Sequence, residues 1–416
     1  MKFYRIPSLI VLVVAAGVQP GCDSDGAPYP PSPRQQDFPR GIERGPQLAL
    51  PSERSMTIAW RSLVPVLGSV DYWADGGVVQ TVNGTGISTE HVILLDGLQP
   101  ATTYLYRVRS GPDALSGVSS FRTVSDDPSA VIRFAVLGDH GCGCDTQYAV
   151  LDVISASAPD LVLTTGDNAY YDGTRAEVLQ NYFAPMASLM DQVPVYPCLG
   201  NHDVRTEYAR PLLEQVYLPA NTADGTEHFY SFRRGNCLFI ALDSNQDLSS
   251  ASLQYEWLED ELQSNTADWV ICYFHHPMYS DSWHGDEPFL RTILAPLFEE
   301  HGVDIVLAGH DHSYQRSYPL RLIPGSEICR VGCAIDGHME PDFLDPGAPI
   351  YMVTGGGGAD LYPLFRSLRM ASVAMRHHAV IFDIEGNELR MSAVDTAGVI
   401  FDSMSIQKTI PVDGGG

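Results

Sequence analysis

From residue 131 onward, apolar runs of strand length alternate with segments of helical spacing, and this alternation constrains the fold more than any other feature. "VIRFAVLGDH" precedes a helix around 145–157, in which Val150, Leu151 and Ile154 share a face, and "DLVLTTGDNAYYDG" precedes a helical stretch near 176–191. "VPVYPCLGNHD" and "NCLFIALDSN" follow, then a helix with Leu253, Trp257, Leu258 and Leu262 on one side. "WVICYFHHP" leads into a helix near 287–301 that ends at Gly302. "VDIVLAGHDH" and "APIYMVTGGGG" add two strands, and 378–406 reads as closing strands opened by the structural pair His377–His378. Such a chain folds as an α/β layered domain, here set at 131–408.

The text before it is different. Over 41–125, "SMTIAWRS", "GSVDYWAD", "STEHVILLDG", "TTYLYRVRSG" and "GVSSFRTV" are each strand-length and separated by turn residues, with no helical pattern. They predict a small antiparallel β-sandwich. Trp60 and the stretch "LQPATTYLYRV" resemble a fibronectin type III domain. Residues 23–40, polar and proline-rich, read as a linker.

Residues 1–22 read as an export signal. Lys2 and Arg5 give a basic start and Ser8–Val18 an apolar run too short to span a bilayer comfortably. Gly21–Cys22 resembles a bacterial lipoprotein cleavage site, which makes membrane attachment through lipid on Cys22 one expectation. Ordinary cleavage after Ala15–Ala16–Gly17 is the other. The protein is thus expected in the periplasm, at the cell surface or in the medium. Disulfides are admissible there, and "CGC" (Cys142, Cys144) and "CRVGC" (Cys329, Cys333) are the better pairs, with Cys272 a buried filler. The formal charge of −26, with Lys2 and Lys408 the only lysines, argues against nucleic-acid binding. It leaves an anionic substrate open, because bound metals reverse the sign of a local site.

Several apolar runs end in a small polar motif: "GDHG" (138–141), "GDNAY" (166–170), "GNHD" (200–203), "HHP" (275–277) and "GHDH" (309–312). Each alone is an ordinary turn. Ligands of α/β sheets, however, bind outside the carboxyl ends of the strands. Brought together there, the motifs supply carboxylates, an amide, a phenol and several imidazoles, enough for two metal ions.

The ordered set GDxG, GDxxY, GNH, H and GHxH resembles the binuclear metallophosphoesterases, specifically the purple acid phosphatase branch, with Tyr170 as the distinguishing residue. The resemblance implies a β-sheet sandwich flanked by helices, and hydrolysis of phosphate monoesters by attack of metal-bound hydroxide. It implies Fe(III) at Asp139, Asp167, Tyr170 and His312, and a divalent ion (Fe, Zn or Mn) at Asp167, Asn201, His275 and His310. One phenolate with two carboxylates and an imidazole suits a trivalent ion, and an amide, two imidazoles and the shared carboxylate suit a divalent one. It further implies His202 and His284 as general acids, and Asn201, His202 and His284 as substrate contacts. His276, beside His275, is an open competitor for the ligand position. A phosphodiesterase on the same scaffold is the nearest alternative. A surface binding protein with a vestigial metal domain ranks lower, since every ligand position is filled.

Overall fold

The computed structural model describes residues 41–111, 113–322 and 341–409, the backbone of 333–335, and the single positions 32, 34 and 38. The leader, Cys22, most of the linker, Cys329 and the Cys333 side chain lie outside the described residues.

The N-terminal region is all β, with strands Ile42–Ala49, Ser55–Ala74, Gln80–Asp96, Thr103–Ser110, Asp113–Ala114 and Ser119–Arg122. They pair antiparallel throughout. One expectation is corrected: "SMTIAWRS" and "GSVDYWAD" form a single 20-residue strand. The exposed Pro65 between them, which has no N–H for the ladder, falls where the register shifts from Arg61 to Val66. A bulge absorbs the proline without ending the strand. Trp60 is fully buried and stacks on His91 at 4.6 Å.

The second region is built on two sheets. In the larger, the strands run in the order 230–234, 237–241, 269–273, 305–308, 350–354, 314–322 and 333–335, with 370–374 also paired to 314–322. In the smaller, the order is 342–344, 400–407, 388–395, 378–385, 132–137, 161–164 and 195–197. Their apolar inner faces form one core. Phe134 stacks on Phe382 at 4.7 Å and meets Phe239 of the opposite sheet edge-on at 5.2 Å. The helices Leu253–Gln263 and Pro288–Glu300 cover the other face of the larger sheet, through Leu258, Leu262, Leu294 and Phe298. The second helix stops where Gly302 takes φ +66°, a left-handed geometry that glycine adopts without strain. The helix Asp145–Ser157 matches the sequence reading. The stretch near 176–191 is helical as expected, but its middle turn, Val178–Phe183, is wound as a π segment. Among the described residues no helix is long and apolar enough to cross a membrane.

The two regions are joined by specific contacts. Tyr106 donates to the Asp191 carbonyl at 2.8 Å, and Gln47 to that of Gln215 at 2.7 Å. Arg44, fully buried, pairs with Glu90 and lies over the Phe183 ring. Phe38 packs against both cores.

Strands 132–137, 161–164 and 195–197 run parallel in one sheet, and 237–241, 269–273 and 305–308 in the other. Their carboxyl ends carry the polar motifs. Phe134→Ala should cost about 3–5 kcal/mol of stability by leaving a cavity between the sheets. Equilibrium denaturation reads this directly, and a loss below about 1 kcal/mol would mean the sheets do not share the core described.

Candidate metal centre

Each strand ends in a sharp turn that swings a side chain back over the sheet edge. Asp139, Asp167 and His310 all hold positive φ (55°, 51° and 67°), a conformation that Asp and His tolerate better than bulkier residues. Gly200 is required by close approach: a Cβ there would lie 2.1 Å from Asp167 Oδ1.

The turns converge. Tyr170 Oη lies 3.1 Å from His312 Nε2 and 3.4 Å from Asp139 Oδ1. Asn201 Oδ1 lies 2.8 Å from His275 Nε2 and 3.1 Å from His310 Nδ1. Asp167 Oδ2 lies 3.5 Å from His275 Nε2 and 3.9 Å from His202 Nε2. Potential ligand atoms of Asp139, Asp167 and His275 fall within 4.8 Å of one another, as do those of His275, His276 and His310. Every ligand position expected from the sequence therefore falls in one cluster. His284 joins it, its ring 4.2 Å from that of His310. His378 does not: it is buried at the start of its strand and bonds the Arg376 carbonyl.

The imidazoles are aimed from behind. His275 Nδ1 donates to the Thr165 carbonyl at 2.9 Å, His312 Nδ1 to that of Asp360 at 2.7 Å, and His202 Nδ1 to that of Tyr171 at 2.6 Å. These contacts fix the tautomer and leave each Nε2 facing the cluster.

Electrostatics test whether this set fits cations. Asp139 and Asp167 are 0% and 1% exposed, yet their ion-pair partners among the described residues are histidines alone, with no Lys or Arg. Burial opposes ionisation of Asp167, but His275 and His202 outweigh it and hold its pKa below the usual carboxylate range. Burial likewise opposes charge on His275, and Asp167 and Asp139 outweigh it to raise the pKa. His310 goes the other way, pushed well below the usual range by burial and then by His275 and His276. His276 is pushed down to about 3 by burial and then by His275. Buried anions without Lys or Arg partners among the described residues, beside imidazoles and a phenol, are a donor set that fits two metal ions.

Two carboxylates without an assigned role in the sequence hold the loops together. Asp203 accepts from the backbone N–H groups of Asn168, Ala169 and Gly200 and from Asn168 Nδ2, tying "GDNAY" to "GNHD". Burial and then the Asp167 charge push its pKa up to about 7. Asp311 accepts from Ser280 Oγ and from the N–H groups of His284 and Gly285, which brings the His284 loop to the site. Both lie inside motifs read for their neighbours. Cys142 and Cys144 form a disulfide beside Tyr170, as the "CGC" spacing implied, while Cys198, Cys237 and Cys272 are free and buried.

Comparison with known proteins agrees with this geometry. Residues 132–314 match the calcineurin-like phosphoesterase family, and residues 44–123 match the N-terminal domain of purple acid phosphatases. In fold and in the arrangement of its site the chain is similar to the metallophosphoesterases. The match of residues 44–123 to the N-terminal domain of purple acid phosphatases makes that branch the one the chain resembles. It is 27% identical to purple acid phosphatase 15 of Arabidopsis thaliana over 303 residues, 64% of this chain and only 53% of that protein. It is 25% identical to the Fe(3+)-Zn(2+) purple acid phosphatase 12 of Arabidopsis thaliana over 81% of this chain and 75% of that one. In fold it is similar to purple acid phosphatase PPD1 from yellow lupin (Lupinus luteus) seeds, with a TM-score of 0.76 at 19% identity, over 88% of this chain and 75% of that one.

Asp203→Asn places an amide N–H₂ against some of these N–H donors. It should loosen both loops and weaken metal binding by about 10–100-fold. Metal content after dialysis against graded chelator measures this, and retention equal to wild type would remove Asp203 from the support of the site.

Proposed function

We propose that the chain hydrolyses phosphate monoesters with two metal ions held at this site. One observation carries the reading: Asp139 and Asp167 are buried carboxylates that face imidazoles, a phenol and an amide, with no Lys or Arg among the described residues to neutralise them. Asp139, Tyr170 and His312 would hold one ion, Asn201, His275 and His310 the other, with Asp167 shared. The phenolate and carboxylates favour Fe(III) in the first position, and the amide and imidazoles favour Fe(II), Zn(II) or Mn(II) in the second. When bound, such a pair supplies positive charge for the phosphoryl oxygens and a water acidic enough to act as nucleophile.

His202 has its Nδ1–H committed to the Tyr171 carbonyl, so any proton it delivers comes from Nε2. In the imidazolium form that Nε2–H can pass a proton to the departing alkoxide, general acid catalysis. His284 is carried by the Asp311-anchored loop to within 4.2 Å of the His310 ring, a position from which it would donate to the substrate. Asn201 joins these two histidines as a substrate contact. The basic, apolar and proline-rich N-terminus supports export with cleavage of the leader, either before a lipid-bearing Cys22 or after Ala15–Ala16–Gly17. The division into a linker over 23–40, a fibronectin-like region over 41–125 and a catalytic domain over 131–408 belongs to the same reading.

The purified protein should hydrolyse an aryl phosphate, and chelation or His310→Ala should abolish turnover. Full activity in folded His310→Ala protein would sink the assignment. His202→Ala should keep both metals and slow hydrolysis by about 10²–10⁴-fold, more for alkyl than for aryl phosphates. Equal losses on both substrates would make His202 a binding residue only. Tyr170→Phe should lose a visible charge-transfer band while keeping Asp139, Asp167 and His312 as donors. An iron-loaded wild type without such a band would leave Tyr170 as a packed tyrosine.

A further inference from the structure

The chain carries a second histidine at the end of strand 269–273, and its surroundings match those of a ligand better than those of a filler. His276 follows His275 directly, and its ring centroid lies 5.0 Å from that of His275 and 4.7 Å from that of His310. The three residues offer donor atoms within 4.8 Å of one another. His276 Nδ1 lies 2.8 Å from Ser244 Oγ, which also accepts the His276 backbone N–H at 3.1 Å. A hydroxyl oxygen has two lone pairs and can accept both protons, which leaves His276 Nε2 with a free lone pair. An imidazole anchored through one nitrogen and open at the other, beside two of its kind, has the arrangement found around metal-ligating histidines. His275 is anchored in the same way, by the Thr165 carbonyl.

We propose that His276 Nε2 is a further ligand of the divalent ion, added to Asp167, Asn201, His275 and His310. The inference rests on the two-metal reading above and goes beyond it in a definite way. Three imidazoles in place of two make the position richer in nitrogen. It should then hold Zn(II) more firmly and discriminate more strongly against Mn(II), whose preference is for oxygen donors. With one more position taken by protein, fewer sites remain on that ion for water or substrate oxygen. Ser244 is a positioning residue, holding the ring rather than touching the ion.

The test is metal retention, read without reference to turnover. Wild type, His276→Ala, Ser244→Ala and His310→Ala proteins are loaded with iron and zinc, dialysed against graded chelator, and assayed for each metal per chain. A parallel set loaded with Co(II) in the divalent position is examined by visible spectroscopy. His276→Ala should release zinc at about 10–100-fold lower chelator strength, keep its iron, and show a changed Co(II) spectrum. Ser244→Ala should fall between it and wild type. Zinc retention and a Co(II) spectrum identical to wild type in His276→Ala overturn the proposal. If that variant does not fold, Ser244→Ala decides alone: unchanged zinc retention overturns, weakened retention supports. His310→Ala separates the two levels of inference, because it must lose the divalent ion if the two-metal reading holds at all.

Discussion

Two buried carboxylates, Asp139 and Asp167, are the constraint on which this structure turns. Among the described residues no arginine or lysine meets their charge, and the fold surrounds it with N–H groups, imidazoles and a phenol. His310 donates its backbone N–H to Asp139, and His202 donates its own to Asp167. The turns that make these contacts need left-handed backbone at three side-chain-bearing positions and a glycine pressed against a carboxylate oxygen. That local cost persists only because the strands beneath are fully buried and leave the turns no freedom to relax. Core and site are therefore one design: the apolar strands exist at those lengths to aim the polar ends.

Much of this was legible in the sequence because the two parts use different alphabets. Apolar runs announce buried parallel strands, and the residue type changes abruptly where each strand ends. Asp139, Asp167, Tyr170, Asn201, His275, His310 and His312 all sit within such a change. His284 does not, and lies in a loop nine residues beyond His275. Its place at the site depends on Asp311, which reaches across 27 residues to hold the loop's N–H groups. Asp203 was equally silent, since a carboxylate that accepts from backbone donors has no partner type to search for. Spacing records which side chains share a turn, not which distant main chain they brace.

The N-terminal region shows a different limit. Pro65 and the turn-like residues around it read as a break, yet the ladder continues past them through a bulge. Propensity was overruled by the neighbouring strand 80–96, which pairs on both sides of the irregularity. The joint between regions was also unreadable. Arg44 is a buried cation over Phe183, and nothing local marks it as different from the exposed arginines nearby.

The order of the donors along the chain has a consequence for how such a centre is assembled. Asp139, Asp167, Tyr170 and Asn201 come from the first part of the catalytic region, and His275, His310 and His312 from a stretch beginning some seventy residues later. Under the proposed division each ion draws on both. A nascent chain that has emerged only as far as the first group can complete neither coordination sphere, so metal capture belongs to the finished fold rather than to its nucleation. Once captured, the ions fasten the strand ends of one sheet to those of the other. The bound state should then open far less readily than its empty counterpart, with the two sheets parting only after the metals have left.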